Sequence, residues 1–204
     1  MDFIFRIWSN MGFSMGVPMA RAKILSDRQI RVVLKHARPM MAVAVLASFR
    51  CGLRARELVA LDWSMILDAE GQIGEYIDLP AISSKGRRGA GRLPITADLR
   101  TALVTLWWKE RTPTTGRILH DAHYKPLSAD AIRFRLNSLF KKAGLQGVSS
   151  HSGRRTFGTN LARHVNLSSV QKALRHARPA TTLLYIDAVS DPELVAAINL
   201  ISAT

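Results

Sequence analysis

The residue types best suited to chemistry in this chain lie between positions 151 and 185. His151 and Arg154 are separated by two residues, and His176 and Tyr185 follow downstream. An arginine presents a fork of N–H donors that matches phosphate oxygens, and a histidine donates or accepts a proton near neutral pH. A tyrosine hydroxyl can attack phosphorus and form a covalent intermediate. The set therefore indicates breakage and rejoining of a phosphodiester, and it is a poor composition for a hydrophobic core.

A second group lies upstream, where residues 52–58 read Gly-Leu-Arg-Ala-Arg-Glu-Leu. Arg54 and Glu57 are three residues apart, so on a helix they would share a face and Glu57 would orient the guanidinium group. Taken alone, the Gly-Leu-Arg triplet is also explained by a helix C-cap followed by a surface arginine. Beside the group at 151–185, the chemical interpretation is favoured.

Together these segments resemble the catalytic domain of the tyrosine recombinases, the phage integrase family. The family shares the pattern His-x-x-Arg, then a second histidine or a tryptophan, then a tyrosine nine residues later, and nine residues separate His176 from Tyr185 here. Its first box reads Gly-Leu-Arg-x-x-Glu-Leu, which matches residues 52–58. One position departs from the family: a glycine usually precedes the second histidine, and this chain has Arg175, which adds bulk and charge beside the site.

The resemblance implies a role for each matching residue. Tyr185 is the nucleophile that attacks the scissile phosphate, and His151 is its general base. Arg54 and Arg154 bind the non-bridging phosphate oxygens, and Glu57 supports Arg54.

Lys85 and His176 complete the implied catalytic set. In the family, a lysine at the start of the glycine-rich basic turn protonates the leaving hydroxyl, and the second histidine hydrogen-bonds the phosphate. Neighbouring arginines would replace Lys85 poorly, because arginine stays protonated whereas lysine can give up its proton. A solvated basic loop is the alternative for this turn. The arginines expected to contact DNA are Arg56, Arg87, Arg88, Arg92, Arg133 and Arg135.

The charge balance predicts a polyanionic partner. Lys and Arg number 29 against 15 Asp and Glu, a formal net charge of +14. Nucleic acid is the first candidate and an anionic membrane surface the second, while a well-solvated basic protein is the alternative that composition leaves open.

No apolar run of about 20 residues is present, so no transmembrane helix is expected. The lone Cys51 permits no intramolecular disulfide and is expected to be a buried apolar residue. A reducing, cytoplasmic setting follows, and the resemblance implies a bacterial or phage-encoded, nucleoid-associated protein.

Helix signals dominate the chain, with one change of periodicity. Ser26 and Gln29 form a capping-box pattern, and Pro39 opens a second helix that Gly52 closes. Further helices are expected at about 98–110 and 128–142, from about residue 154, and from a cap at Asn166 to residue 174. Between 74 and 95, short β-type segments around the glycine-rich turn predict a hairpin. The expected fold class is α+β and mostly α-helical, with a small antiparallel hairpin or three-stranded sheet, as in the tyrosine recombinases.

One segment precedes the expected catalytic domain, and a short helix is expected at the C-terminal end of the domain. We expect residues 1–21 to form a short N-terminal segment, either a mis-called start or a small docking segment, and residues 22–204 to form the domain. A terminal helix at about 192–201 carries a narrow apolar stripe, and it packs either on its own domain or on a neighbouring protomer. The layout resembles that of catalytic-domain-only members such as the small fimbrial-switch invertases.

The expected function is site-specific recombination of double-stranded DNA through a 3′-phosphotyrosyl intermediate, without metal, ATP or another cofactor. The resemblance implies a homotetramer on synapsed DNA, with accessory DNA-bending proteins as further partners. Two alternatives stay open: relaxation of a single duplex, as by a type IB topoisomerase, and DNA binding by a protein with a weakened active site.

Overall fold

The computed structural model describes residues 22–80 and 91–176, together with Thr182. Lys85, Arg87, Arg88 and Tyr185 lie outside the described residues, as do residues 1–21 and the expected terminal helix at 192–201. The expectations for these positions therefore stay predictions.

Within the described ranges the chain forms seven α-helices and one two-stranded antiparallel sheet. In chain order these are α1 (Asp27–Lys35), α2 (Pro39–Cys51), α3 (Ala55–Ala60), β1 (Tyr76–Leu79), β2 (Gly91–Pro94), α4 (Ala97–Lys109), α5 (Ala129–Lys142), α6 (Ser152–Ala162) and α7 (Leu167–Leu174), with a 3₁₀ turn at Trp63–Met65. The expected α+β, mostly helical fold class is confirmed. Of the two expected forms of the sheet, the described residues form the hairpin.

Helix α2 is central to the core, as its almost wholly apolar sequence predicts. Val43 through Ala47, Phe49 and Cys51 are each no more than 3% exposed. Helices α4 and α6 both pack against α2, α5 packs against α3, and α7 packs against α6. Cys51 is the buried apolar residue expected, and burial raises the pKa of its thiol to about 12.

Gly52 ends α2 and directs the chain towards α3. Its φ of 64° lies in the left-handed region, which glycine adopts without a Cβ penalty. A Cβ at this position would lie 2.5 Å from the ring of Phe157 in α6. Leu53 is fully buried, and Arg54 is the N-cap of α3. The turn therefore holds the Gly-Leu-Arg segment directly against α6.

The hairpin pairs Tyr76 with Pro94 and Leu79 with Gly91. Ile77 and Leu93 face the core, at 0% and 6% exposed. Ile95, expected in the second strand, lies one residue beyond it, and its backbone N–H donates to Glu75 at 2.8 Å.

The helix caps follow local sequence closely. Ser26 and Gln29 form the expected capping box of α1, and the Asn166 side chain accepts a hydrogen bond from the backbone N–H of Ser169 at 2.9 Å. Helix α6 begins at Ser152, two residues earlier than expected, so Arg154 lies in its first turn. No helix in the described part of the chain is both long and apolar enough to cross a membrane.

Candidate active site

The site is built where the ends of three helices meet around one carboxylate. Arg54 is the N-cap of α3, Arg154 lies in the first turn of α6, and Arg175 is the C-cap of α7. Glu57, in the first turn of α3, lies between them. Its two oxygens contact Arg54 and Arg175 directly, and the Nη1 atom of Arg154 is 3.9 Å from Oε2.

The expected contact between Arg54 and Glu57 is present, but it arises differently. Arg54 is extended, with φ −76° and ψ 159°, and stands before the helix rather than on its face. Glu57 therefore reaches back as the third helical residue does in a capping box. Its Oε2 accepts from the Arg54 backbone N–H at 2.7 Å, and its Oε1 accepts from Nη1 at 3.0 Å. The Arg54 side chain is 40% exposed against 12% for Glu57, so this guanidinium group is accessible from solvent.

Arg154 lies deeper, with 3% of its surface exposed. Its Nη1 donates to the carbonyl of Gly52 at 2.6 Å, and its Nη2 donates to the carbonyl of Leu174. These carbonyls stand at the C-terminal ends of α2 and α7, where helix carbonyls carry partial negative charge. Arg154 thus ties two helix ends together beneath Glu57. Phosphate binding by Arg154 stays a prediction.

Arg175, which sequence reasoning noted only as a departure from the family, belongs to the same cluster. Its Nη2 donates to Glu57 Oε2 at 2.8 Å and its Nε donates to Oε1 at 3.3 Å. The side chain is 3% exposed. The signal in the sequence was a charged residue at a helix end where the family usually has glycine, but its partner could not be read from it.

The charges around Glu57 decide its ionisation. Burial alone would raise the pKa of this carboxyl, but hydrogen bonds and charge from Arg175 and then Arg54 outweigh burial and lower the pKa. Three guanidinium groups therefore surround one ionised carboxylate. The cluster keeps an excess of positive charge, which suits the binding of an anion.

His176 is buried beside the cluster, at 8% exposed. Burial, followed by the charges of Arg154, Arg54 and Arg175, lowers the pKa of its imidazole to about 4. At neutral pH the ring is therefore neutral. Its Nδ1 lies 3.0 Å from the hydroxyl oxygen of Thr182, which is fully buried. Thr182 is therefore a member of the site that the sequence analysis did not single out.

His151 is exposed and forms the N-cap of α6, three residues before Arg154. Of the predicted catalytic residues, the structure thus brings Arg54, Glu57, Arg154 and His176 together, with His151 at the start of the helix that carries Arg154. Lys85 and Tyr185 are outside the described residues.

The expected DNA-contacting arginines differ in their surroundings. Arg56 is exposed on α3. Arg92 on β2 has a side chain 67% exposed, with Nε 3.4 Å from Asp78 and its guanidinium carbon 4.2 Å from the centre of the Tyr76 ring. Both arginines are accessible to a polyanion, so their predicted role stays open to test.

Helix α5 carries two more of the expected DNA contacts, and the remaining pair, Arg87 and Arg88, lies outside the described residues. Arg133 forms an ion pair with Asp130 one turn earlier, and Arg135 is half-buried. The exposed Lys141 and Lys142 end the same helix. Because α5 packs against α3, this basic helix neighbours the helix that carries Glu57. Within residues 22–80 and 91–176, no group of three or more His, Cys, Asp or Glu side chains is arranged to hold a metal ion.

Comparison with known proteins identifies the family of this chain. The model of the phage integrase family matches residues 23–191. No curated protein matches the chain. Three solved structures share 17–21% sequence identity with the chain, which supports a shared fold. The chain spans less than two thirds of the length of each of the three. They are the XerA recombinase (21% identity, TM-score 0.70, covering 90% of this chain and 65% of that one), the Tn1549 transposon integrase in complex with transposon right end DNA (18%, 0.71, 88% and 66%), and a lambda integrase dimer bound to a COC′ core site (17%, 0.61, 80% and 47%). The chain therefore belongs to the phage integrase family, and its described fold is that of the tyrosine recombinase catalytic domains.

Proposed function

We propose that this protein is a site-specific DNA recombinase that cleaves and rejoins DNA through a 3′-phosphotyrosyl intermediate. The observation that carries the proposal is the cluster of Arg54, Arg154 and Arg175 around Glu57, within a fold of this family. A phosphodiester carries one negative charge, and its pentavalent transition state carries more. Fixed positive groups that are already in place at this transition state lower the barrier, because they need no reorganisation.

In the proposed reaction the Tyr185 hydroxyl attacks phosphorus while the bond from phosphorus to the 5′ oxygen breaks. Ionising a tyrosine of ordinary pKa at pH 7 costs about 4 kcal/mol. In this proposal the positive charge of the arginine cluster and His151 as general base offset this cost. Lys85 gives a proton to the leaving 5′ oxygen. A 5′-hydroxyl from a second duplex then attacks the phosphotyrosine, which reverses the chemistry and completes strand exchange.

His176 supports the reaction as a neutral group. When the Thr182 hydroxyl donates to Nδ1, the ring proton resides on Nε2. That tautomer donates a hydrogen bond to a phosphate oxygen, which is the role we propose. Because its pKa is lowered to about 4, the imidazole ring stays neutral across the neutral pH range.

The proposed chemistry needs neither metal nor ATP. The phosphotyrosyl bond conserves the energy of the broken phosphodiester, so rejoining requires no further input. We propose double-stranded DNA as the substrate, which agrees with the DNA present in the Tn1549 and lambda integrase structures. We further propose that residues 22–204 form the catalytic domain, and that a homotetramer assembles on two synapsed duplexes, with accessory DNA-bending proteins where the sites require them.

The alternative of a weakened active site rested on Arg175. The structure accommodates this side chain within the cluster, and Arg54 keeps its own bonds to Glu57. Relaxation of a single duplex has no observation in its favour here.

The test is formation of a covalent adduct. Nicked suicide duplexes that tile the DNA flanking the gene are incubated with the protein in a chelator and without ATP. The wild type should form an adduct that survives denaturing electrophoresis. Tyr185→Phe should form none while its DNA affinity changes little, because it lacks one hydroxyl only. An adduct with the Phe variant would show that another residue is the nucleophile.

A further inference from the structure

We propose that Arg175 is a positioning residue for this reaction: it holds Glu57, and Glu57 in turn holds Arg54 towards the scissile phosphate. The inference rests on the function proposed above. It gives a role to the residue at which this chain departs from the usual glycine of the family.

The contacts of Arg175 direct its guanidinium group at Glu57 and at its own helix end. Nε and Nη2 donate to the two oxygens of Glu57, and Nη1 donates to the carbonyl of Ala173 at 2.9 Å. Two parallel N–H bonds to a carboxylate fix its orientation as well as its position. Because all three nitrogens have these partners and the side chain is 3% exposed, Arg175 acts through Glu57 rather than on the phosphate.

The backbone and a neighbouring strand accommodate this side chain specifically. Arg175 has a φ of 51°, in the left-handed region that glycine adopts more readily than arginine. A Cβ at Gly91 would lie 3.2 Å from Cδ of Arg175, so the missing side chain in β2 leaves space for the arginine methylenes. A strained, buried arginine persists only where its surroundings stabilise it, and here the bond pair to Glu57 does so.

Arg175 and Arg54 differ in burial and in their contacts with Glu57. Arg175 holds both oxygens of Glu57, whereas Arg54 contributes one side-chain bond and remains 40% exposed. Without Arg175, Glu57 would face Arg54, the more distant Arg154 and the neutral His176. Its burial, which raises the carboxyl pKa, would then be offset less strongly. Glu57 would lose its fixed orientation and would protonate at a higher pH, and Arg54 would lose its support.

The test compares Arg175→Gly with a matched control, Arg111→Gly. Arg111 also has a left-handed backbone, with φ 65°, and it is exposed in the turn after α4. Each variant therefore loses one positive charge and replaces a left-handed arginine by glycine, but only Arg175→Gly removes a partner of Glu57. Single-turnover adduct formation should fall at least about tenfold in Arg175→Gly and stay within about twofold of wild type in Arg111→Gly. DNA affinity should change little in either.

The pH profile separates positioning from a merely structural role. In the wild type, Arg175 keeps Glu57 ionised in the mildly acidic range, so protonation of Glu57 should not lower the rate there. In Arg175→Gly, Glu57 should become protonated in this range, and the rate should fall more steeply with decreasing pH than the wild-type rate does. Glu57→Gln should remove this added pH dependence, and Arg175→Gly should have a smaller effect in the Glu57→Gln background than in the wild type, since coupled residues are not additive.

Arg175→Lys provides a second variant in case the glycine variant unfolds. Lysine keeps the charge but cannot make two parallel bonds, so an intermediate rate is expected. The proposal is overturned if Arg175→Gly reacts at the wild-type rate with the wild-type pH profile, if it reacts faster, or if Arg175→Lys is indistinguishable from wild type. Failure of the wild type to form any adduct would instead contradict the proposed function itself, and the inference with it.

Discussion

Gly153 and Ser48 are in direct contact where α6 packs against α2. A Cβ at position 153 would lie 2.2 Å from the Ser48 hydroxyl oxygen and 2.9 Å from its Cβ. The next residue along α6 is Arg154, whose guanidinium group donates to Gly52 at the end of α2. The missing side chain of Gly153 therefore allows the approach of α6 that places Arg154 in the site.

We predict that Gly153→Ala lowers the free energy of unfolding by about 1–3 kcal/mol, because an added methyl group overpacks the contact. In an exposed helix the same change would stabilise by up to about 1 kcal/mol. Urea unfolding measures the difference. Ser48→Ala in the same protein removes the nearest atom and should restore part of the loss. A Gly153→Ala protein more stable than wild type would contradict the packing argument.

DNA binding should be strongly salt-dependent, because a chain of net charge +14 neutralises several phosphates and releases their counterions. We expect the isolated protein to bind loosely and with little sequence preference. Arg56→Ala and Arg133→Ala should each reduce the slope of log affinity against log salt by about 1 if that arginine contacts a phosphate. Fluorescence anisotropy across a salt series gives the slopes. An affinity unchanged between low and moderate salt would be incompatible with this binding mode.

Stability should depend on pH through His176. Its folded pKa is about 4 against an ordinary value of 6.5, so between these values the unfolded chain binds a proton that the folded chain does not. Stability therefore falls as the pH is lowered from about 6.5 towards 4, and it is unaffected by this residue above that range. Thermal melts of wild type and His176→Asn should converge as the pH falls through this window. Parallel melting curves would show that the histidine is not buried as described.

Deletion of the segment after Ala188 should show where the expected terminal helix packs. An isolated helix as short as the one expected at 192–201 is marginal in water, so it must pack on its own domain or on a neighbour. If it docks on a neighbour, deletion after Ala188 should leave a folded, DNA-binding protein that fails to synapse two duplexes. Melting curves, DNA affinity and a synapsis gel distinguish the cases. A truncated chain that melts far below wild type and loses DNA binding would place the helix on its own domain and remove this argument for the tetramer.

Local signals in the sequence were sufficient for several of the helix ends. The capping box of Ser26, the Asn166 cap and the left-handed Gly52 each act through bonds or conformations within a few residues, so they appear in the structure as predicted. The contact between Arg54 and Glu57 was predictable for the same reason, since three residues separate them. Only its form differed, because Arg54 precedes the helix.

The partners of Glu57 and Arg154 from distant parts of the chain were decided by tertiary structure alone. Arg175 is 118 positions from Glu57, and the acceptors of Arg154 at Gly52 and Leu174 are backbone carbonyls that carry no sequence signature. These contacts exist because α2, α3, α6 and α7 bring their ends to one place, and that depends on how the helices pack across the whole core. A sequence pattern can name the charged residues of such a site, but the packing of the helices determines which charges meet.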